Sequence, residues 1–444
     1  MIPSLPANPA DLALVLGGGG AKGSYQVGVF EALERLSIRA GAVFGASVGA
    51  LNAAMLARGA WEECASLWES LRLTDLVTPE SVALLEKAEA LPSRREKLAQ
   101  LLADSVQQRF VDVGPLRALL ARCAGEDELR KGSVRFGLVA TRVSGLRMVE
   151  KTLEEMVPGS LPDWLMASAA CFPIFPIQQI DGEGYIDGGY CDNVPVGMAV
   201  ARGARHVIAV DNGRSLAHER TLRRPNVTYI RASRPLGGLM RFSPERAAFN
   251  RRLGFNDTMR ALGAYRGVRW SFEGHAAQAA LPLAEDFVLA LGRMETALLP
   301  DRALSLRGRD YAPFFPLLEP HLGARRDALD HLLAACELVC EMAELDPLAV
   351  YTLASLREAL WRALPLARAR ALIASMDGMR LSARLAQLFA PALPDRKLTV
   401  CCLAELLGRR GMDFPLSVYA ASSFPPEFLC ALSLSFLLGA PEDL

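Results

Sequence analysis

Apolar positions along the 444-residue chain follow two different rhythms. In the first, short continuously apolar runs alternate with stretches of helical spacing. Residues 12–16 (LALVL) are predicted to be a strand, and residues 27–36 repeat apolar side chains at helical intervals. Residues 42–44 form a second short apolar strand, and the alanine-rich stretch 48–57 a helix. Residues 134–141 and 206–210 are further strands, and 184–186 is a short strand-like segment. Buried strands alternating with helices predict a mainly parallel sheet covered by helices. The second rhythm begins after Trp270. There, long Leu/Ala/Arg segments are broken at Pro300, Pro316, Pro320, Pro347, Pro365, Pro391, Pro394 and the pair Pro425 and Pro426, while β-branched residues thin out. This part is predicted to be largely helical, without an internal repeat of convincing period.

Composition narrows the classes of protein. Hydrophobic residues make up 51% and charged residues 22%, enough apolar material for a large core and too much for disorder. The length predicts two to four domains, or one large domain with an extension. Basic and acidic residues both number 49, so no overall field gathers nucleic acid. That zero is a cancellation. Residues 202–269 hold fifteen arginines against four acids, and residues 271–350 hold thirteen acids against six arginines. The sign changes near Trp270, which predicts a boundary there or two elements that pair electrostatically. The basic stretch reads as a solvated, partly paired face, or as a contact surface for anionic lipid.

Nine cysteines without a C-x-x-C pair read as reduced thiols in a cytoplasmic protein, with no support for a zinc site. Lacking a basic start and a long apolar core, the first residues do not read as a secretory signal. The apolar stretch 428–440 is too short to span a bilayer and reads as a packing helix, or as an interfacial anchor. The expectation is a soluble protein, at most peripheral to a membrane.

Candidate chemistry begins at the glycine run after the first strand, Gly17, Gly18, Gly19 and Gly20, followed by Ala21, Lys22 and Gly23. Such a run lets backbone N–H groups face an anion. A phosphate-binding loop fails, because Lys22 precedes glycine rather than Ser or Thr. The dinucleotide pattern is met by Gly18, Gly20 and Gly23, but the next strand ends without the acid that binds ribose. An oxyanion hole is the reading left with most support. The second motif, 45–49 (GASVG), fits G-x-S-x-G between a strand and a small-residue helix, the context of a nucleophile elbow. Its glycines, Gly45 and Gly49, let strand and helix approach around Ser47. The alternative is a helix start capped by Ser47. The third motif is Asp187, Gly188 and Gly189, a carboxylate beside two glycines. Alone it reads as a turn; with a serine nucleophile it supplies a base. A Ser47, Asp187 and His206 triad is formally available, although His206 opens an apolar run and reads better as a strand-end residue.

Together and in this order, these motifs resemble the patatin-like phospholipase family over roughly residues 12–267. The flanking segments 192–195 (DNVP), 242–246 (FSPER) and 254–257 (GFND) resemble the family as well. In the segment 167–176 the usual proline is shifted by one, with Phe172 in its place, which would reshape an acyl pocket. The resemblance implies a three-layer α/β/α core with a mainly parallel sheet over residues 1–267; the helical extension over 268–444 comes from the chain's own pattern and has no counterpart in the resemblance. It implies lipid acyl-ester hydrolysis of the phospholipase A or lysophospholipase type, with Ser47 and Asp187 as a catalytic dyad. Gly18, Gly19 and Gly20 would form the oxyanion hole, and Lys22 is a candidate contact for substrate phosphate. No metal or cofactor is implied. The expected partner is a phospholipid or other acyl-ester lipid at a membrane surface. Two other functions compete: a phospholipase effector regulated by a protein or ligand on its C-terminal extension, and a non-enzymatic dinucleotide or acyl-group binder.

Overall fold

The computed structural model of the protein describes residues 5–89, 100, 111–213, 224–304, 314–323, 325–376, 395–410 and 415–439. The chain forms two compact units, Ile2–Leu262 and Gly263–Leu444. Among the described residues, no helix is long and apolar enough to cross a membrane.

The first unit is built on one eight-stranded sheet. Its strands are β1 (Leu12–Leu16), β2 (Ala42–Ala46), β3 (Arg135–Arg142), β4 (Arg147–Thr152), β5 (Gln178–Ile180), β6 (Glu183–Asp187), β7 (His206–Asp211) and β8 (Val227–Arg231). Strands β3, β2, β1, β7 and β8 run parallel. Strands β4 and β6 pair antiparallel with β3, and β5 with β6. The helices that shape the site are α1 (Ser24–Arg35), α2 (Val48–Ala57), α3 (Trp61–Ser70), α4 (Gly114–Ala124), α5 (Leu161–Ala169), α6 (Val196–Ala201) and α7 (Pro244–Ala261).

The continuously apolar strands follow from this layering. Successive strand residues face opposite ways. Ala13, Val15, Phe44, Val207 and Ala209 pack with Val196 and Met198 of α6. Leu14, Leu16, Val43 and Ile208 point to the other face and are equally buried. Helices therefore cover both faces, giving the three-layer α/β/α architecture with a mainly parallel sheet. Strands β4 and β8 escape the apolar pattern because they are only partly buried.

The second unit is largely helical and holds its own core. Its long helices are α8 (Leu281–Leu304), α9 (Ala328–Ala343), α10 (Arg396–Arg410) and α11 (Pro425–Leu438). Phe287, Phe314, Leu333, Leu403 and Phe428 belong to one apolar cluster. Helix α11 is thus a packing helix, with Phe428, Leu429, Leu432 and Leu434 buried. Pro300 does not break its helix, which continues to Leu304. Pro391 and Pro394 lie outside the described residues.

The unit begins at Gly263 rather than after residue 267. The reason is a short sheet of β9 (Tyr265–Arg266), β10 (Ser271–Glu273) and β11 (Val350–Tyr351). Arg266 pairs with Phe272 across the β9–β10 hairpin, so the expected boundary falls inside it. The change of charge sign near Trp270 is a site of pairing within this unit. Arg266 contacts Asp327 at 2.8 Å and Asp330 at 2.6 Å, and Arg269 contacts Glu341 at 3.0 Å.

Candidate active site

Sheet register brings Ser47 and Asp187 together across 140 residues of chain. Strand β2 pairs with β3 up to Ala46 opposite Val139. Strand β6 pairs with the next part of β3, Asp187 standing opposite Ala140. Strand β4 occupies the other edge of β3 over Gly137–Arg142. Therefore β2 climbs and β6 descends along one shared edge, and they meet head to head. Ser47, the residue after β2, and Asp187, the last of β6, fall at this junction.

The turn at Ser47 is strained. Its φ of 54° lies in the left-handed region that few side chains adopt. A Cβ on Gly45 would lie 2.3 Å from the Gly49 carbonyl, and one on Gly49 would lie 2.2 Å from the Leu16 carbonyl. Only glycine permits this approach of strand and helix. The turn is braced by Ser168, fully buried on α5. The Ser47 N–H donates to Ser168 Oγ at 2.9 Å, and that hydroxyl donates to the Val139 carbonyl at 2.7 Å. Helix α2 starts at Val48, so the positive end of its dipole lies beside Ser47.

Asp187 is buried, with 7% of its surface exposed. Its carboxylate accepts a hydrogen bond from the Gly189 N–H at 2.7 Å. Burial lifts its pKa to about 6, while the neighbouring Ser47 hydroxyl and the Gly189 N–H pull it down. It is therefore ionised at neutral pH yet only a unit from protonation. Cys171, which also lines the site, is no rival nucleophile. Burial, and then the Asp187 charge, push its thiol up to about 11.

The glycine run divides its labour. The Gly17 N–H donates to the Val210 carbonyl at 2.9 Å and the Gly18 N–H to the Asn193 carbonyl at 3.2 Å. Gly18, expected as an oxyanion donor, thus has its amide already engaged by the loop that carries Asn193. The Ala21 N–H is taken by the Leu239 carbonyl at 2.8 Å. Among the described residues, the amides of Gly19 and Gly20 have no protein acceptor, and both residues line the cavity that holds Ser47. Gly20 has φ 55°, and a Cβ there would sit 2.3 Å from the Leu239 carbonyl.

Both ends of this run are held by buried side-chain amides. Gln26 Nε2 donates to the Gly17 carbonyl at 2.6 Å, and Asn212 Nδ2 to the same carbonyl at 3.1 Å. Asn52 Nδ2 donates to the Gly23 carbonyl at 3.0 Å and to Gln26 Oε1 at 2.8 Å. Asn52 Oδ1 in turn accepts from Trp68 Nε1 at 3.0 Å. Asn52 thereby ties the helix that follows Ser47 to the loop that faces it. Sequence reasoning passed over Asn52, Gln26 and Ser168. For Asn52 a signal existed: it is a lone amide in an otherwise apolar helix, and such a group must find partners.

Ser47, Asp187, Gly19 and Gly20 open into a cavity of about 530 Å³. Its walls are apolar, with Leu51, Trp68, Leu116, Leu120, Phe175 and Phe242 among them. That size and lining suit a ligand with a long apolar part. Phe172, expected to shape the pocket, does not line it; Phe175 does. Lys22 lines the cavity and also an adjoining recess of about 380 Å³ whose wall includes Arg231. Gly23 packs on the Trp68 ring and Gly188 on the Val139 backbone. His206 stands opposite Leu12, at the start of β1. The glycine run begins five residues further, about 16 Å along the strands at 3.3 Å per residue. His206 is therefore at the wrong end of the sheet to act on Ser47.

A serine on a strained strand–helix turn, a buried carboxylate and open glycine amides thus line one cavity. The family model of patatin-like phospholipases matches residues 14–200. The chain is 28% identical over 204 residues to the lysophospholipase NTE1 of Mycosarcoma maydis, covering 46% of this chain and 10% of that protein. It is 27% identical over 204 residues to patatin-like phospholipase domain-containing protein 7 of Mus musculus, covering 46% and 14%. The chain thus matches only a small part of these relatives' length. Among solved structures, VipD from Legionella pneumophila aligns with a TM-score of 0.38 at 16% identity, covering 98% of this chain and 93% of that one. The type III effector ExoU aligns with a TM-score of 0.30 at 15% identity, covering 95% and 87%.

Proposed function

We propose that the protein hydrolyses acyl esters of lipids, as a phospholipase A or lysophospholipase. The observation that carries this is that the sheet register brings Ser47 and a buried Asp187 together in the lining of one large apolar cavity. Asp187 takes the hydroxyl proton as Ser47 Oγ attacks the ester carbonyl. The Gly19 and Gly20 N–H groups hold the oxyanion, an interaction worth roughly 3 kcal/mol per donor in such sites. Asp187 then returns the proton to the departing alcohol. Water, deprotonated by the same carboxylate, releases the fatty acid from Ser47. The acyl chain lies in the apolar cavity. Lys22 faces the phosphate of the head group, with Arg231 beyond it.

The direct test is labelling by a fluorophosphonate probe together with product analysis from mixed phospholipids. Wild type is expected to be labelled at Ser47 and to release fatty acid, and Ser47→Ala to do neither. Fatty acid release at the wild-type rate by Ser47→Ala would overturn the assignment. A second reading, regulation by the C-terminal unit, draws on that unit's separate core. It predicts that a chain ending at Leu262 differs in activity from the full chain by more than tenfold.

A further inference from the structure

The β3–β4 hairpin reaches past the catalytic rung. Strand β3 passes Ala140, which faces Asp187, and continues through Thr141 and Arg142 before the chain turns at residues 143–146. At about 3.3 Å per residue, the tip stands roughly 10 Å along β3 beyond the rung of Asp187. It is apolar and exposed: Leu146 is 67% accessible, Met148 44% and Val143 37%. The tip adjoins the turn after Asp187, because Cys191 Sγ donates to the Leu146 carbonyl at 3.5 Å. That turn carries Tyr190, which lines the cavity and is also exposed. Leu239, on the cavity wall, is exposed as well.

These five side chains make up most of the exposed large apolar residues of the first unit among the described residues. Scattered apolar residues on a surface need no explanation, but a group gathered around the mouth of an apolar cavity does. Leu146 adds a second, independent oddity. Its φ of 45° is left-handed, where a bulky residue costs about 1 kcal/mol and glycine or asparagine would not. The chain holds a leucine in an unfavourable conformation and an unfavourable solvent at once. Arg147, exposed beside it, places a cation at the level of the tip.

We propose that this hairpin tip inserts into the interfacial region of a phospholipid bilayer and seats the cavity mouth on it. Leu146, Met148 and Val143 enter the acyl boundary, while Arg147 meets lipid phosphate. A four-residue tip is too small for a stable protein–protein interface, which needs about 1,000 Å² or more, whereas a few apolar side chains suffice to dock reversibly on lipid. Seated in this way, the cavity receives an acyl chain directly from the bilayer. The inference rests on the lipid-hydrolase reading and names the form in which that substrate is met.

The experiment uses the full chain, vesicles of phosphatidylcholine with phosphatidylglycerol, and a soluble short-chain ester. The double variant Leu146→Asp with Met148→Ser is expected to lose about tenfold in vesicle co-sedimentation and in vesicle hydrolysis, with soluble-ester hydrolysis within twofold of wild type. Unchanged co-sedimentation of the double variant would overturn the proposal. Leu146→Trp provides an arm independent of both losses: its emission should shift to the blue on vesicle addition, and no shift would also overturn it. A wild type inert toward both substrates would sink the hydrolase reading instead, while co-sedimentation and the tryptophan shift still decide the docking.

Discussion

The two units bury polar groups to opposite ends. In the second unit Glu337 is fully buried on α9, and one carboxylate oxygen accepts from the N–H groups of Val268, Arg269 and Trp270 at 2.6, 2.8 and 3.1 Å. Its other oxygen contacts His321 Nδ1 at 2.9 Å. Both carboxylate oxygens are used inward, closing the β9–β10 turn onto a helix. In the first unit Asn52, Gln26 and Asn212 are equally buried, but the loop they hold leaves the Gly19 and Gly20 amides facing a cavity. The lesson is that burial of polar groups does not by itself mark a site. What marks it is a rigid polar frame that ends in unsatisfied groups beside open volume.

The largest effect expected from breaking this contrast is at the dyad. Asp187→Asn removes the base and should lower kcat about 10⁴-fold, as Ser47→Ala should, with the far-ultraviolet circular dichroism of wild type retained. Lipid-ester turnover within tenfold of wild type in either variant would remove the dyad from the mechanism. Next comes Glu337→Ala. It strands three backbone donors and should cost about 3 kcal/mol in urea unfolding of the second unit, with soluble-ester kcat unchanged. A fall in kcat would show that the second unit governs the first. Asn52→Ala should then lower kcat by about ten- to a hundredfold with KM little changed, because it loosens the glycine loop against Ser47 rather than the acyl cavity. An equal rise in KM would make Asn52 merely structural.

The smallest expected effect concerns pH. Asp187 must be ionised to accept a proton. Its raised pKa, about 6, puts the loss of activity below that value, falling tenfold per unit as pH drops further. A flat profile from pH 5 to 8 would contradict the carboxylate base. An ordinary histidine titrates in the same region, so the profile alone does not separate the two. His206→Ala must leave both the acid limb and the rate, within twofold, in place. Its position at the far end of β1 gives it no path to Ser47.

Much of this site was legible in the chain. Gly45, Gly49 and the glycine run announce places where the backbone comes too close for a side chain, and such needs are local. The strand–helix alternation and the apolar helix 48–57 were likewise readable, because burial on both faces leaves continuous apolar runs. Hidden were the brace from Ser168, the Asn52 frame and which amides of the glycine run are left unengaged. Gly18, Gly19 and Gly20 look alike in sequence. Only the carbonyl of Asn193, some 175 residues away, makes the first of them unavailable.

The sequence by itself determined the candidates for the chemistry, a serine on a tight strand–helix turn, a carboxylate beside glycines and a glycine-rich loop. Each depends on backbone conformations set within a few residues. The tertiary structure alone decided that they meet. β2 and β6 come head to head along one edge of β3, a register fixed by long-range pairing that no local pattern encodes. The same strand then runs on to lift an exposed leucine beside the mouth of the cavity, and what that tip is for depends on where β3 stops.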